Sequence, residues 1–208
     1  MTIALATLRG HLSYQAVSLG LIALIASAAL VGAHRQTAAP IAAAEQRDLE
    51  DSLAQVLPPG FADNALLADS MRIDDKGIAR TVYRARKGGA VAGAVFRDAA
   101  RGYAGDVAIL MAVAADGRVL GVRVIKHAET PGLGDKIEPA KSDWILSFNG
   151  RALAGPGAAR WAVKKDGGDF DQFAGATITP RAVVKAVKQG LEFFAAHRDA
   201  ILATENSK

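Results

Sequence analysis

The stretch Asp106–Lys126, DVAILMAVAADGRVLGVRVIK, decides the fold of this chain. It contains two β-rich runs, residues 106–113 and 118–126, which are joined through Ala-Ala-Asp-Gly. An Asp-Gly step between two such runs is a strong hairpin signal, because a two-residue turn needs positive φ angles that these residues accept. The stretch therefore predicts two neighbouring antiparallel strands.

Shorter runs on both sides extend this pattern. Residues 71–73 and 81–86 end at Asp-Asp-Lys-Gly and Lys-Gly-Gly, which are plausible hairpin turns, and residues 91–96 form the returning strand. Downstream, residues 143–148 are predicted as one or two helical turns and residues 161–165 as a further strand. These segments predict a mainly antiparallel sheet.

The clearest helix is the last element. Thr179 is a good N-cap for it and Pro180 fits the first helical position. Its apolar residues recur at helical spacing and form one stripe, Val183, Val184, Val187, Leu191 and Phe194. An antiparallel sheet with such a helix packed against it is an α+β domain.

Residues 12–33 form an uncharged segment near the N-terminus. A helix of this length spans roughly 33 Å at ~1.5 Å per residue, against about 30 Å for the hydrocarbon core of a bilayer. The alternative is a cleaved signal peptide, because Val31-Gly32-Ala33 resembles a small-residue cleavage site. The apolar run is longer than the ~7–15 residues usual in signal peptides, which favours an uncleaved transmembrane helix.

The predicted organisation follows from this span. Its parts are a short cytoplasmic tail (1–11), the transmembrane helix (12–33), a linker (34–45) and a periplasmic domain (46–208). Arg9 precedes the span, whereas Arg35 is soon followed by acidic residues, so the tail is placed in the cytoplasm. The domain opens with a short amphipathic helix near Leu49–Leu57, which Pro58 stops.

Composition excludes several classes of function. The chain has 208 residues, 50% of them hydrophobic and 22% charged, which indicates one globular domain with an appendage. It has no cysteine, so disulfides, Cys-ligated iron–sulfur clusters and thiol nucleophiles are excluded, and redox chemistry needs another cofactor. A net charge of +4 and 6% aromatic residues do not indicate a nucleic-acid partner. His11, His34 and His197 are not spaced with other ligands as in a metal site.

Two glycine-containing loops are candidate binding segments. The first, residues 127–136 (HAETPGLGDK), directly follows a predicted strand, and its glycines let backbone N–H groups approach a ligand closely. Its alternative role is a turn that leaves the sheet.

The second loop, residues 171–181 (DQFAGATITPR), places hydroxyl groups just ahead of a helix N-terminus. That end of a helix attracts phosphate through its free N–H groups and its dipole, and Arg181 adds positive charge. The alternative is that Thr177 and Thr179 only cap the helix.

These residues give the chain a family resemblance along essentially its whole length. Glu-Thr-Pro-Gly-Leu-Gly (129–134) and Asp-x-x-x-Gly-Ala-Thr (171–177), with Leu57-Pro58, Asp63-Asn64 and Gly102-Tyr103, stand behind a single span. The sequence resembles the G subunit of the Rnf electron transport complex. More broadly, it is similar to the FMN-binding domains shared with the C subunit of the sodium-pumping NADH:quinone oxidoreductase.

The resemblance implies a covalent flavin. In that family the Thr of Gly-Ala-Thr, here Thr177, is joined through its hydroxyl to the phosphate of FMN by a flavin transferase that acts outside the cytoplasm. The pattern that the transferase recognises is matched at Asp171, Gly175 and Ala176. Ala174 stands where the family usually has Ser or Thr.

The resemblance also implies positions around the flavin ring. Leu133 and Tyr103 would cover its two faces, and Glu129 and Thr130 would lie near its polar edge. The remaining predicted cofactor-binding residues are Gly132, Gly134, Thr179 and Arg181. No catalytic residue and no metal ligand is predicted.

The function implied is that of an anchored flavoprotein subunit in the bacterial inner membrane. It would relay electrons within an ion-translocating oxidoreductase complex that links ferredoxin and NADH, and it would be an enzyme only as part of that complex. Other membrane and iron–sulfur subunits would be its partners. Two alternatives stay open, namely the C subunit of the quinone reductase, which is typically longer, and a non-redox anchored module with the same fold.

Overall fold

The computed structural model describes residues 12–153 and 160–203. The chain divides into two compact units, Met1–Asp48 and Leu49–Lys208. The predicted cytoplasmic tail, residues 1–11, lies outside the described residues.

Helix α1 runs from Leu12 to Val56. Within it, Tyr14–Ile41 is long and apolar enough to cross a membrane. Residues 34–45, which the sequence predicted as a linker, are helical, and Pro40 lies inside the helix. The physical reason is that five alanines, the strongest helix formers, lie within four residues of this proline. The short helix predicted near Leu49–Leu57 is not separate but forms the last part of α1, which ends at Val56, just before Pro58.

The C-terminal unit contains a five-stranded antiparallel sheet whose strands lie in chain order. The strands are β1 (Ser70–Asp75), β2 (Ile78–Lys87), β3 (Ala90–Arg101), β4 (Asp106–Ala114) and β5 (Val119–Lys126). All five follow the predicted runs, and β4 pairs with β5 through the Asp-Gly turn. The predicted α+β fold with a mainly antiparallel sheet is confirmed.

Helix α2 (Ile178–Leu202) packs on one face of this sheet. Its predicted apolar stripe is buried against Phe96 and Met111. The other face of the sheet is covered by the end of α1, where Leu53 and Val56 pack on Leu110. The sheet therefore has an apolar layer on each side. The contact between Thr179 and Glu129 places the α2 N-terminus beside the loop that follows β5.

The predicted start of α2 was wrong by two residues. The helix begins at Ile178, so Thr177 and not Thr179 occupies the N-cap position. Thr179 is buried in the first turn, where its hydroxyl contacts Glu129. A contact between residues 50 positions apart explains the shift, because local capping rules do not include it.

The segment between the sheet and α2 matches one prediction and corrects another. Asp143–Phe148 forms the predicted helical turns, as a 3-10 helix. Residues 161–165 do not form the predicted strand. Lys164–Asp166 is a 3-10 turn instead. Trp161 packs against Phe148 and Phe170, with ring centroids 6.2 and 5.2 Å apart. The apolar residues here serve this aromatic cluster rather than a sheet.

Candidate functional site

A cleft of about 250 Å³ lies where three segments of the C-terminal domain meet. These segments are the turn after β3, the loop after β5 and the start of α2. The cleft is lined by Tyr103, Glu129, Thr130, Leu133, Gly134, Gly175, Ala176, Thr177, Ile178 and Thr179. Pockets that enclose a drug-sized ligand hold about 300–1,000 Å³, so a ligand of that size stays partly exposed here.

The structure brings most of the predicted site residues to this cleft. Nine of the twelve line it, and the other three, Gly132, Asp171 and Arg181, lie outside the lining. Ile178 lines the cleft although sequence reasoning did not name it. In the sequence, Ile178 is an apolar residue between two threonines at the start of a helix, and this pattern could have indicated a contact with a ligand. In the structure 45% of Ile178 is exposed.

Glu129 ties the three segments together. Its side chain is buried, with 5% of the residue exposed. Oε1 accepts hydrogen bonds from the backbone N–H groups of Tyr103 (3.0 Å) and Ala104 (3.1 Å), and Oε2 accepts one from the Thr179 hydroxyl. Hydrogen bonds to a charged group are stronger than neutral ones, so this carboxylate holds the cleft walls in place.

Two glycines allow this close approach. A Cβ at Gly102 would lie 2.6 Å from Glu129 Oε1, and a Cβ at Gly134 would lie 2.8 Å from Glu129 Cβ. Both distances are below van der Waals contact, so any larger residue would displace the carboxylate.

The His127 ring contacts the backbone of Glu129 and not its carboxylate. Its Nδ1 accepts a hydrogen bond from the Glu129 backbone N–H at 3.2 Å, and its Nε2 lies 2.8 Å from Glu138 Oε1. Because Nδ1 acts as the acceptor, a neutral ring carries its hydrogen on Nε2 and donates it to Glu138. This ring links the loop after β5 to the segment that follows it.

The loop of residues 129–134, called here the glutamate loop, contains a tight turn. Leu133 N–H donates to the carbonyl of Thr130 at 3.2 Å, and Gly132 at the third position has a φ of 79°. This φ is what a type II turn requires, and the preceding proline is favoured at its second position. Gly132 therefore shapes the cleft wall without lining the cleft.

The loop of residues 171–177, called here the acceptor loop, contains the same kind of turn. Ala176 N–H donates to the carbonyl of Phe173 at 3.1 Å, and Gly175 has a φ of 79°. Ala174 occupies the exposed second position. The missing hydroxyl at this position therefore changes the surface of the loop and not its fold.

Aromatic side chains hold the acceptor loop on the domain. The Trp144 indole N–H donates to the carbonyl of Asp171 at 2.8 Å. The Trp144 ring meets Phe148 and Phe173 edge to face, with centroids 5.3 and 5.2 Å apart. The sequence favours a packing role for Trp144 over contact with a ligand, and in the structure its ring packs between Phe148 and Phe173.

Comparison with known proteins identifies the family. The family model for the FMN-binding domain matches residues 102–192, which contain every residue that lines the cleft. The chain is 52% identical over 187 residues to the G subunit of the ion-translocating oxidoreductase complex of Cereibacter sphaeroides, covering 89% of this chain and 85% of that protein. The chain belongs to this G-subunit family. The corresponding protein of Stutzerimonas stutzeri is 48% identical over 90% of this chain and 82% of its own length.

A solved structure supports the fold of this family member. The crystal structure of NqrC from Shewanella oneidensis superposes with a TM-score of 0.50 and 24% identity, over 69% of this chain and 72% of that one. This likeness confirms the predicted fold. The predicted family and the predicted place in an ion-translocating oxidoreductase complex are confirmed by the G-subunit relatives.

The cleft of this G-subunit family member fits FMN. Three large apolar side chains are exposed around it, with 69% of Tyr103, 44% of Leu133 and 45% of Ile178 accessible to solvent. Exposed apolar residues grouped at a cleft indicate a surface that a ligand covers. At the start of α2, Pro180 has no N–H and the Arg181 N–H donates to the Thr177 carbonyl at 3.4 Å, so the N–H groups of Ile178 and Thr179 are the ones that suit a phosphate.

The charged side chains near the acceptor loop are paired with each other. Arg181 makes two hydrogen bonds of 2.6 Å to Asp166, and they hold the pKa of the Asp166 carboxyl below its usual value. Lys164 Nζ lies 2.6 Å from Asp171 Oδ1, and both side chains are more than half exposed. The positive charge of Arg181 is therefore directed to Asp166.

Proposed function

We propose that FMN is held in the cleft through a phosphoester to the Thr177 hydroxyl, and that the chain relays electrons within an Rnf-type complex linking ferredoxin and NADH. One observation carries the proposal. Thr177 occupies the N-cap position of α2 and lines the cleft, yet its side chain makes no capping hydrogen bond. Its hydroxyl is not used by the helix and is available for chemistry.

Thr177 suits this role better than the other two hydroxyls of the cleft. Thr179 is 1% exposed and its hydroxyl contacts Glu129. Thr130 is exposed but lies on the glutamate loop, away from a helix N-terminus. Thr177 combines partial exposure with two small neighbours, Gly175 and Ala176, which leave room for a transferase to reach it.

The start of α2 supplies the positive environment for the phosphate. Free backbone N–H groups and the helix dipole stabilise the charge that remains after esterification. Arg181, predicted for this role, is paired with Asp166, so the backbone contributes more than this side chain. Asp171 faces solvent beside Lys164, where we propose that the flavin transferase recognises it.

Tyr103 and Leu133 would cover the two faces of the flavin ring, and Thr130 would lie near its polar edge. When bound, FMN supplies the redox chemistry, and the protein groups around it set its potential and limit access to it. A covalent bond keeps the cofactor in a cleft too small to enclose it. The open side of the cleft lets electrons pass to and from the other membrane and iron–sulfur subunits.

Helix α1 anchors the chain in the bacterial inner membrane. Its segment Tyr14–Ile41 meets the requirements of length and apolar composition for a membrane span. The sequence favours a cytoplasmic tail, so we place the domain of residues 46–208 in the periplasm. This is the side on which the transferase acts.

Intact mass and peptide mapping of the full chain test the proposal. The chain is purified from membranes of a host that has the flavin transferase. We expect an increase of FMN less one water on the peptide that contains Thr177, and an uncleaved N-terminus. Thr177→Val should lose the modification completely, whereas Thr177→Ser should keep it. The matched control Thr130→Val should also keep it. An unmodified Thr177 in the wild type would refute covalent attachment.

A further inference from the structure

The cleft wall contains a buried carboxylate that has no cationic partner among the described residues. Glu129 is 5% exposed, and its three hydrogen-bond donors are two backbone N–H groups and one threonine hydroxyl. His127 contacts its backbone N–H and not its carboxylate. All three donors are directed at its two oxygens, so the side chain acts only as an acceptor in these contacts.

We propose that Glu129 positions the cleft walls and lowers the reduction potential of the FMN held there. The inference rests on the proposed function, since it concerns the cofactor bound in the cleft. Family resemblance alone suggested that Glu129 binds the polar edge of the flavin ring. The hydrogen bonds assign its oxygens to the protein instead.

The positioning role follows from the contacts of Glu129 with two segments that are far from it in the sequence. It joins the turn at Tyr103, 26 positions earlier, to Thr179, 50 positions later. Tyr103 follows Gly102, whose missing side chain admits the carboxylate, and Thr179 lies two residues after the acceptor Thr177. One side chain therefore sets the spacing between a predicted ring contact and the predicted attachment point.

The electrostatic role follows from charge and burial. Adding electrons to the flavin adds negative charge, and a fixed anion in the wall of the cleft opposes this addition. Burial makes the effect stronger, because charges interact more strongly inside a protein than in water. The neutral donors around Glu129 stabilise its charge without cancelling it. The protein therefore makes the flavin a stronger reductant than the same site without this charge.

The variant Glu129→Gln removes the negative charge of this side chain but keeps groups that can make its hydrogen bonds. The amide oxygen accepts from the two backbone N–H groups and the amide nitrogen donates to the Thr179 hydroxyl, so the hydrogen bonds are kept. We measure the midpoint potential of the flavin at pH 8 in full-length protein with equal covalent flavin content, checked by mass. We expect a positive shift equivalent to at least tenfold in the ratio of reduced to oxidised flavin, about 30 mV for a two-electron couple.

Glu138→Gln is the matched control. It removes the same charge from the next residue of the network, which contacts His127 and does not line the cleft. We expect it to leave the potential unchanged. An unchanged potential in fully flavinylated Glu129→Gln, or an equal shift in Glu138→Gln, would overturn the inference.

Thr179→Val provides a second test if Glu129→Gln does not fold or does not accept flavin. It removes one neutral donor from the carboxylate, so less of the negative field of Glu129 is compensated and the potential should fall. A potential that is unchanged or raised in this variant would contradict the electrostatic role. Failure of the proposed function would look different, because the wild type itself would then carry no flavin on Thr177.

Discussion

The glutamate loop and the acceptor loop are built on the same kind of turn but are held in different ways. The glutamate loop is fixed by a buried carboxylate, whose contacts reach two other segments of the cleft. The acceptor loop is fixed by aromatic packing under its first residues, while Ala174 and Asp171 face solvent. The glutamate loop is therefore joined to the rest of the cleft by one buried side chain. The acceptor loop is held from one side only, and the proposed attachment needs an enzyme to reach Thr177 at its end.

Glu129→Ala should have the largest effect on stability, because it removes the carboxylate that joins three segments of the cleft. Hydrogen bonds to a charged group contribute about 1.5–3 kcal/mol each, and water replaces part of this at the exposed turn. We expect the free energy of unfolding to fall by about 3 kcal/mol, measured by urea denaturation of the full chain in detergent. The control Glu138→Ala should cost about 1 kcal/mol, because it removes one partly exposed hydrogen bond, to His127. Equal losses would show that the glutamate loop is not held as described.

Trp144→Ala should have an intermediate effect and act on the other loop. It removes the hydrogen bond to Asp171 and the edge contacts with Phe148 and Phe173. We expect a loss of about 2 kcal/mol in unfolding free energy, together with slower flavin attachment. Trp144→Phe keeps the packing and should lose about 1 kcal/mol. Attachment at the wild-type rate in Trp144→Ala would mean that the transferase does not need the loop held in place.

Ala174→Ser should have the smallest effect on stability. The side chain at the second position of the turn is exposed, so the unfolding free energy should change by less than about 0.5 kcal/mol. The serine restores the family pattern, and flavin attachment followed by mass over time should become faster. A large stability change would show that Ala174 takes part in packing, and an unchanged rate would show that the transferase does not read this position.

The sheet and the final helix could be predicted because their signals are local. The Asp-Gly hairpin between β4 and β5 and the apolar stripe of α2 depend on residues close together in sequence. The cleft lining was predicted at nine of its ten positions through the resemblance, while composition alone left simple turns and caps open.

The errors lie where distant residues or helix propensity decide the structure. The local sequence predicts Thr179 as the N-cap of α2, but its hydroxyl is buried and binds the Glu129 carboxylate. Residues 161–165 have apolar spacing typical of a strand, but Trp161 fills an aromatic cluster with Phe148 and Phe170. The sequence predicts a linker at residues 34–45, yet the alanines around Pro40 keep α1 helical. Periodicity within a short window contains none of this information.

The strand order of the sheet has a consequence for biosynthesis. Because the strands pair in the order in which they are made, each hairpin can form as soon as its second strand has left the ribosome. The cleft is different, since its last wall belongs to the helix that ends the domain. The whole domain must therefore be made before its cleft is complete. If FMN is attached as proposed, its loading follows the folding of the last helix, and the extent of loading reports on how many domains have folded.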